Sequence, residues 1–286
     1  MLEDLFHPKR QRMLINGYEL FFNYMPKKKI LTKSKYLMGL ECPRHLWMTF
    51  NHPEKIRKIT VAEEFRFSEG NKVGQLAKTL FPNGIDLPVE NYSENIERTK
   101  ESMQKGKPLF EAGFAFENCF SRADILVPVG KEWDIIEVKS GTEVKDINIH
   151  DVSFQKWVYE SSGIKIRKCF LMHLNKEYFR KGKLDMQKLF VKEDITPQVN
   201  AIKDIKKIVD HMFKIISSEN PPKAGLLMDK FIKEGNHDCF TETCLNDLPE
   251  NHVFCLYRGG KLSCELFEKG ILHIKDIPLH VKLNGK

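Results

Sequence analysis

The chain has 286 residues, 41% hydrophobic and 30% charged, which excludes a disordered polar chain and fits one large domain or two small ones. No window holds eighteen consecutive apolar residues and the N-terminus lacks the order of a secretory leader, so an intracellular, cytoplasmic protein with no membrane partner is expected. The net charge of +7 is uneven: residues 1–60 hold 12 Lys and Arg against 5 Asp and Glu, and the rest balances at 34 each.

That basic excess fits a phosphate-bearing partner and fits a solvated segment equally well. Residues 1–27 show no clear period and read as an extension of little structure. Thr32 or Ser34 can cap a short helix ending near Gly39, followed at once by Cys42-Pro43. Residues 61–80 read as a helix with a stop at Phe81-Pro82-Asn83-Gly84. Gly70, Gly74 and Ala77 share one face of it, where another backbone can approach.

From residue 108 the period changes. PLFEAGFAF alternates, with Phe110, Ala112, Phe114 and Phe116 on one side and Glu111 and Glu117 on the other. SRADILVPV and EWDIIEVK follow by short turns, so the three read as an antiparallel meander. Residues 149–161 return to helical spacing and stop at Gly163. IRKCFLMHL suits a buried strand, and residues 197–218 read as one amphipathic helix ended by Pro221-Pro222. Three segments follow from this: an extension at 1–27, a core at 28–222 and a cysteine-rich segment at 223–286.

The run WDIIEVKSGT at 133–142 carries the chemistry. On a strand, Glu137 and Lys139 point the same way, and Ile136 and Val138 point to the opposite, apolar face. Asp124 lies on the preceding strand. Two carboxylates from adjacent strands can share one Mg²⁺, which prefers oxygen ligands and keeps several waters. A lysine beside it can orient or deprotonate a bound water. Acid-x-Lys alone is a common pattern, present again at Glu143-Val144-Lys145 and Asp204-Ile205-Lys206. The first copy differs in its apolar strand start, its upstream Asp124, and a following helix that carries Gln155 and Tyr159 on one face.

Asp124, Glu137-Val138-Lys139 and Gln155-x-x-x-Tyr159 together resemble the active-site order of RecB-type nucleases of the PD-(D/E)XK superfamily, related to the CRISPR-associated RecB-like exonucleases. The segments Leu31–Trp47, Glu69–Gly74 and Leu256–Gly260 resemble the same proteins. The resemblance implies an α/β fold with a restriction-endonuclease-like core: a central mixed β-sheet flanked by helices, with a cysteine-containing helical cap from the N- and C-terminal segments. It implies a metal-dependent DNA nuclease, an exonuclease acting on single strands or free ends, in repair, recombination or defence. The alternative is a catalytically inactive nucleic-acid- or partner-binding module of that fold.

By the same resemblance, Asp124 and Glu137 would hold Mg²⁺ or Mn²⁺ and Lys139 would be the catalytic lysine. Gln155 and Tyr159 would sit at the rim, and Glu111 is the nearest further acid. The basic excess of residues 1–60, and not the resemblance, gives Lys33, Lys35 and Arg44 as expected nucleic-acid contacts. Four of the seven cysteines fall within residues 239–264. The resemblance implies a [4Fe–4S] cluster, or a zinc ion, on Cys42, Cys239 and Cys244, completed by Cys255, Cys264 or His237. Cys119 and Cys169 read as core residues.

Overall fold

A computed structural model describes residues 10–15, 18–23, 29–56, 58–222, 248–257 and 259–283. The chain divides into two units, Met1–Ile30 and Leu31–Lys286. In the first, strand β1 (Arg10–Ile15) pairs antiparallel with β2 (Tyr18–Asn23), Arg10 opposite Asn23 and Ile15 opposite Tyr18. The expectation of little structure over residues 1–27 is corrected by this hairpin.

The second unit begins with β3 (Leu31–Thr32) and α1 (Lys33–Glu41), whose N-cap Thr32 accepts from Lys35 N. Cys42 caps α2 (Pro43–Asn51) through its sulfur, and Pro43 occupies the first turn, where its missing N–H costs nothing. Helix α3 (Val61–Lys78) opens on a capping box formed by Thr60 and Glu63. Then come β4 (Ile85–Asp86), α4 (Tyr92–Met103) and the meander β5 (Leu109–Phe116), β6 (Cys119–Val129) and β7 (Glu132–Lys139). Helix α5 (Asp146–Ser161) ends before Gly163, whose φ of 88° only glycine adopts cheaply. Strand β8 (Ile166–Leu174), α6 (Met186–Leu189) and β9 (Phe190–Asp194) follow. The chain then forms α7 (Thr196–Ala201), α8 (Ile205–Ser217) and α9 (Gly260–Glu268).

The single helix expected over 197–218 is in fact two. The first ends at Ala201 with Ile202 extended, and Asp204 takes φ 60°, a left-handed turn from which the next starts. Residues Ile205, Val209, Met212 and Ile216 then repeat at helical spacing and are all buried.

The main sheet runs β4-β5-β6-β7-β8-β9, with β3 also paired to β6. It is mixed: β4–β5, β3–β6 and β7–β8 are parallel, and the remaining pairs are antiparallel. On one face, Trp133, Ile135 and Leu171 pack with Val152, Phe154 and Val158 of α5, with α1, α2 and α8 outside them. On the other, Phe110, Ile125, Ile136 and Met172 pack with Ala77 of α3. Ile135 and Ile136 are thus buried on opposite sides, each contributing about 1.5–3 kcal/mol by burial. The central sheet flanked by helices matches the expected α/β class and is compatible with a restriction-endonuclease-like core. Among the described residues, no helix is long and apolar enough to cross a membrane.

Candidate active site

The site forms where the β5–β6–β7 ladder comes apart. The pairing of β5 with β6 keeps one register throughout but omits Glu111 and Asp124. Glu111 has φ 59°, a left-handed conformation that few side chains tolerate. The faces reverse across it: Phe110 belongs to the α3-side core, whereas Ala112 and Phe114 belong to the α5-side core. The expected alternation through Phe110, Ala112 and Phe114 is therefore corrected. The β6–β7 ladder likewise stops at Ile125 and Ile136, so Asp124 and Glu137 lie just past its end.

Backbone groups freed by this break are taken up by side chains. Asn95 Nδ2 donates to the Glu111 carbonyl at 2.8 Å, and Tyr159 Oη donates to the Ala112 carbonyl at 2.6 Å. Gly113 N donates to Thr99 Oγ1 at 3.0 Å, and Val138 N donates to Asp124 Oδ2 at 2.7 Å. Helices α4 and α5 thus hold the distorted strands from outside, and these four backbone groups are paired. Tyr159 is fully buried and holds a strand. The rim position expected for it is corrected.

Glu137 is 1% exposed and lies at the centre of a charged cluster. Its Oε1 accepts from Lys139 Nζ at 2.7 Å and from Lys33 Nζ at 2.8 Å; its Oε2 accepts from Gln155 Nε2 at 2.7 Å. Lys139 also donates to Asp151 Oδ2 at 2.6 Å, and Gln155 to Asp151 Oδ1 at 3.0 Å. Asp151 and Gln155 are one helical turn apart on α5, so both face the same strand end. Gln155 too is buried against carboxylates and not at a rim. Asp151 is the site residue that sequence reasoning missed, and Lys33, expected to contact nucleic acid, instead pairs with Glu137. The i, i+4 pairing of Asp151 with Gln155 was the available signal for the first; nothing in the spacing links Lys33 to Glu137, 104 positions away.

The electrostatics separate the two strand acids. Burial, with the neighbouring Glu137 charge second, raises the Asp124 carboxyl to about 7. Burial acts on Glu137 in the same direction, but Lys139 and Lys33 overcome it and hold that carboxyl well below the usual range. Burial disfavours the charged form of Lys139; Glu137 and Asp151 outweigh it and keep the ammonium charged. A proton taken up by the strand acids therefore goes to Asp124. Both thiols read as core, Cys119 and Cys169, are buried and pushed up to about 12 by that burial.

A cavity of ≈ 820 Å³ opens over this end of the sheet, lined by Glu111, Asp124, Glu137 and Lys139 on one side and α3 on the other. Gly70 and Gly74 face it with nothing within 4 Å of an added Cβ, so no second backbone approaches them as the sequence implied. Glu111, expected as a further acid, does line the cavity; its Oε1 lies 3.6 Å from Lys78 Nζ.

Asp124 accepts only the Val138 amide among the described residues and stays short of positive charge beside Glu137. A hydrated divalent cation fits that need. Among the described residues, no group of three or more His, Cys, Asp or Glu side chains gathers to hold an ion, so water would have to complete its coordination.

Lys33, Lys35 and Arg44, expected as nucleic-acid contacts, are each engaged inside the fold. Lys33 sits on Glu137, Lys35 Nζ lies 4.2 Å from the Phe50 ring centre, and Arg44 donates to the Pro222 carbonyl at 3.3 Å. Of the expected thiolates, Cys42 caps α2, and the exposed Cys255 lies 3.6 Å from His252 Nε2. Cys239, Cys244 and His237 lie outside the described residues.

No protein-family model matches the chain, and no curated protein matches its sequence. Among solved structures it is similar to the protein SSO0001, at 12% identity and a TM-score of 0.40, over 70% of this chain and 81% of that one. It is also similar to an alkaline exonuclease (LHK-Exo) from Laribacter hongkongensis, at 10% identity and a TM-score of 0.34, over 67% and 86%.

Proposed function

We propose that this protein is a metal-dependent nuclease of the RecB-like PD-(D/E)XK type that hydrolyses phosphodiester bonds of DNA, as an exonuclease on single strands or free ends. One observation carries the reading. The strand ends bearing Asp124 and Glu137 part at the floor of a cavity, with the Lys139 ammonium 2.7 Å from Glu137. Asp124 and Glu137 would hold Mg²⁺ or Mn²⁺, which supplies an acidified water and charge neutralisation at the phosphate.

The chain's own residues do the rest. Glu137 fixes Lys139, and Asp151 fixes it a second time from α5. An ammonium has three donors and no acceptor, so Lys139 orients a water or a phosphate oxygen through a remaining N–H. Gln155 holds the second oxygen of Glu137 and keeps that carboxylate from rotating. Asn95, Thr99 and Tyr159 hold the ladder break that aims Asp124 and Glu111 into the cavity. The thiolates Cys42, Cys239 and Cys244, with Cys255 as the fourth, belong to this proposal as ligands of an iron–sulfur cluster or a zinc ion, apart from the cleavage chemistry.

A second reading, an inactive nucleic-acid-binding module of the same fold, draws on Lys33. Its ammonium shares Glu137 Oε1 with Lys139, putting two cations on the oxygen that an ion would need. Incubation of end-labelled single- and double-stranded DNA with Mg²⁺ or Mn²⁺ separates the two readings. Cleavage by the wild type that is strongly slowed in Lys139→Ala supports the nuclease; DNA binding with no cleavage under either metal supports the module.

A further inference from the structure

Beside the main cavity lies a smaller one of ≈ 230 Å³, below the roughly 300–1,000 Å³ of a drug-sized ligand site. Ser34, Glu111 and Asp124 line both, so the acids of the ladder break form their common wall. The far wall of the small cavity is aromatic. Tyr92, the first residue of α4, stacks on the buried Phe120 with ring centres 4.4 Å apart, yet is itself 41% exposed. Ser121 also lines this cavity; it is 1% exposed, and its Oγ has no hydrogen-bond partner among the described residues. Arg122 completes the rim, giving one N–H to the Val89 carbonyl at 2.9 Å and keeping others for a ligand.

We infer that this cavity is a nucleotide subsite: it takes the base of the nucleotide next to the scissile phosphate, stacked on Tyr92. The inference rests on the nuclease reading above and adds where the strand lies. A strand crossing the shared wall puts one phosphate at Asp124 and one base in the smaller cavity, while the larger cavity keeps the rest of the strand. Aromatic stacking is indifferent to base identity because every base has a π-face. The buried Ser121 hydroxyl gains the partner it lacks, a polar atom of the sugar or base. A duplex does not fit a space that holds one ring system, so the site selects a single strand or a frayed end.

The test uses the full chain carrying Lys139→Ala to suppress cutting, and a single-stranded oligonucleotide with 2-aminopurine at one end or the other. Stacking quenches this base. One of the two oligonucleotides should be quenched on binding, and Tyr92→Ala should abolish the quench and weaken binding by about 5- to 100-fold. Tyr92→Phe, which keeps the ring, should retain both. Binding of either oligonucleotide without a quench, or an equal quench in Tyr92→Ala, overturns the subsite and leaves the nuclease reading intact. Absence of any binding overturns both.

Discussion

Asp124 concentrates the chemistry at the scale of single residues. Its carboxyl is raised to about 7, above its unfolded value of about 3.9. An acid shifted this way adds stability that is complete at low pH and is lost as pH rises from about 4 through 7. Metal-free wild type should therefore lose stability over that range, and Asp124→Asn should not. The variant's advantage should grow from near zero at low pH to a plateau above 7, read by thermal melting in a chelator; a difference independent of pH would contradict it. Glu137, held low, acts in the opposite sense, and comparing the two proteins largely removes its part. Tyr159 offers a second check. Tyr159→Phe leaves the Ala112 carbonyl without its donor and should cost about 1–3 kcal/mol in denaturant unfolding, with slower cleavage. Unchanged stability would mean that the bond holds nothing. At this scale the strand acids and Lys139 were legible, because an apolar strand start makes an acid two residues from a lysine stand out. Lys33 was read as a surface contact because the parallel pairing of two residues, Leu31 and Thr32, with β6 is what carries it to Glu137, and so short a strand leaves no period to read.

Most helices and strands with a long pattern were legible, the run over 197–218 excepted, where the pattern hid the break before Ile205. The meander, α5 and β8 follow from alternation or helical spacing, and their turns carry glycine. The reversal at Glu111 was not legible. Alternation continues through it in sequence, and only the side chains of Asn95, Thr99 and Tyr159, from two other helices, make the reversal affordable. Helix α3 was placed correctly, but its glycines were given the wrong neighbour. They border a cavity, which gives a prediction for the element. Gly70→Ala and Gly74→Ala should each stabilise the fold by about 0.5–1 kcal/mol, since the added Cβ meets nothing within 4 Å and the helix gains propensity. Gly74→Leu should fold as well but fill the cleft, weakening DNA binding and cleavage together. Full activity in the leucine variant would move the substrate path away from α3. The hairpin of β1 and β2 was missed although Asn16-Gly17 is a strong short hairpin signal; the absence of a clear period over residues 1–27 led to the reading of an extension.

At the scale of the described fold, the main sheet separates two cores, and the acids gather where its β5–β6–β7 ladder parts. The cysteine proposal belongs to this scale, because α2 through α8 separate Cys42 from the pair Cys239 and Cys244 in sequence. Protein purified without oxygen should contain iron and be brown, or contain zinc and be colourless, and should lose the metal in Cys42→Ser; wild type free of both metals would contradict the proposal. Cleavage itself is the most direct test of the central claim. Single-turnover incubation of end-labelled single-stranded DNA with Mg²⁺ or Mn²⁺ should give cleavage by the wild type, slowed by roughly 10²-fold or more in Lys139→Ala and abolished in Asp124→Ala and Glu137→Ala. No cleavage by the wild type with either metal, or equal cleavage by all four proteins, would contradict the account.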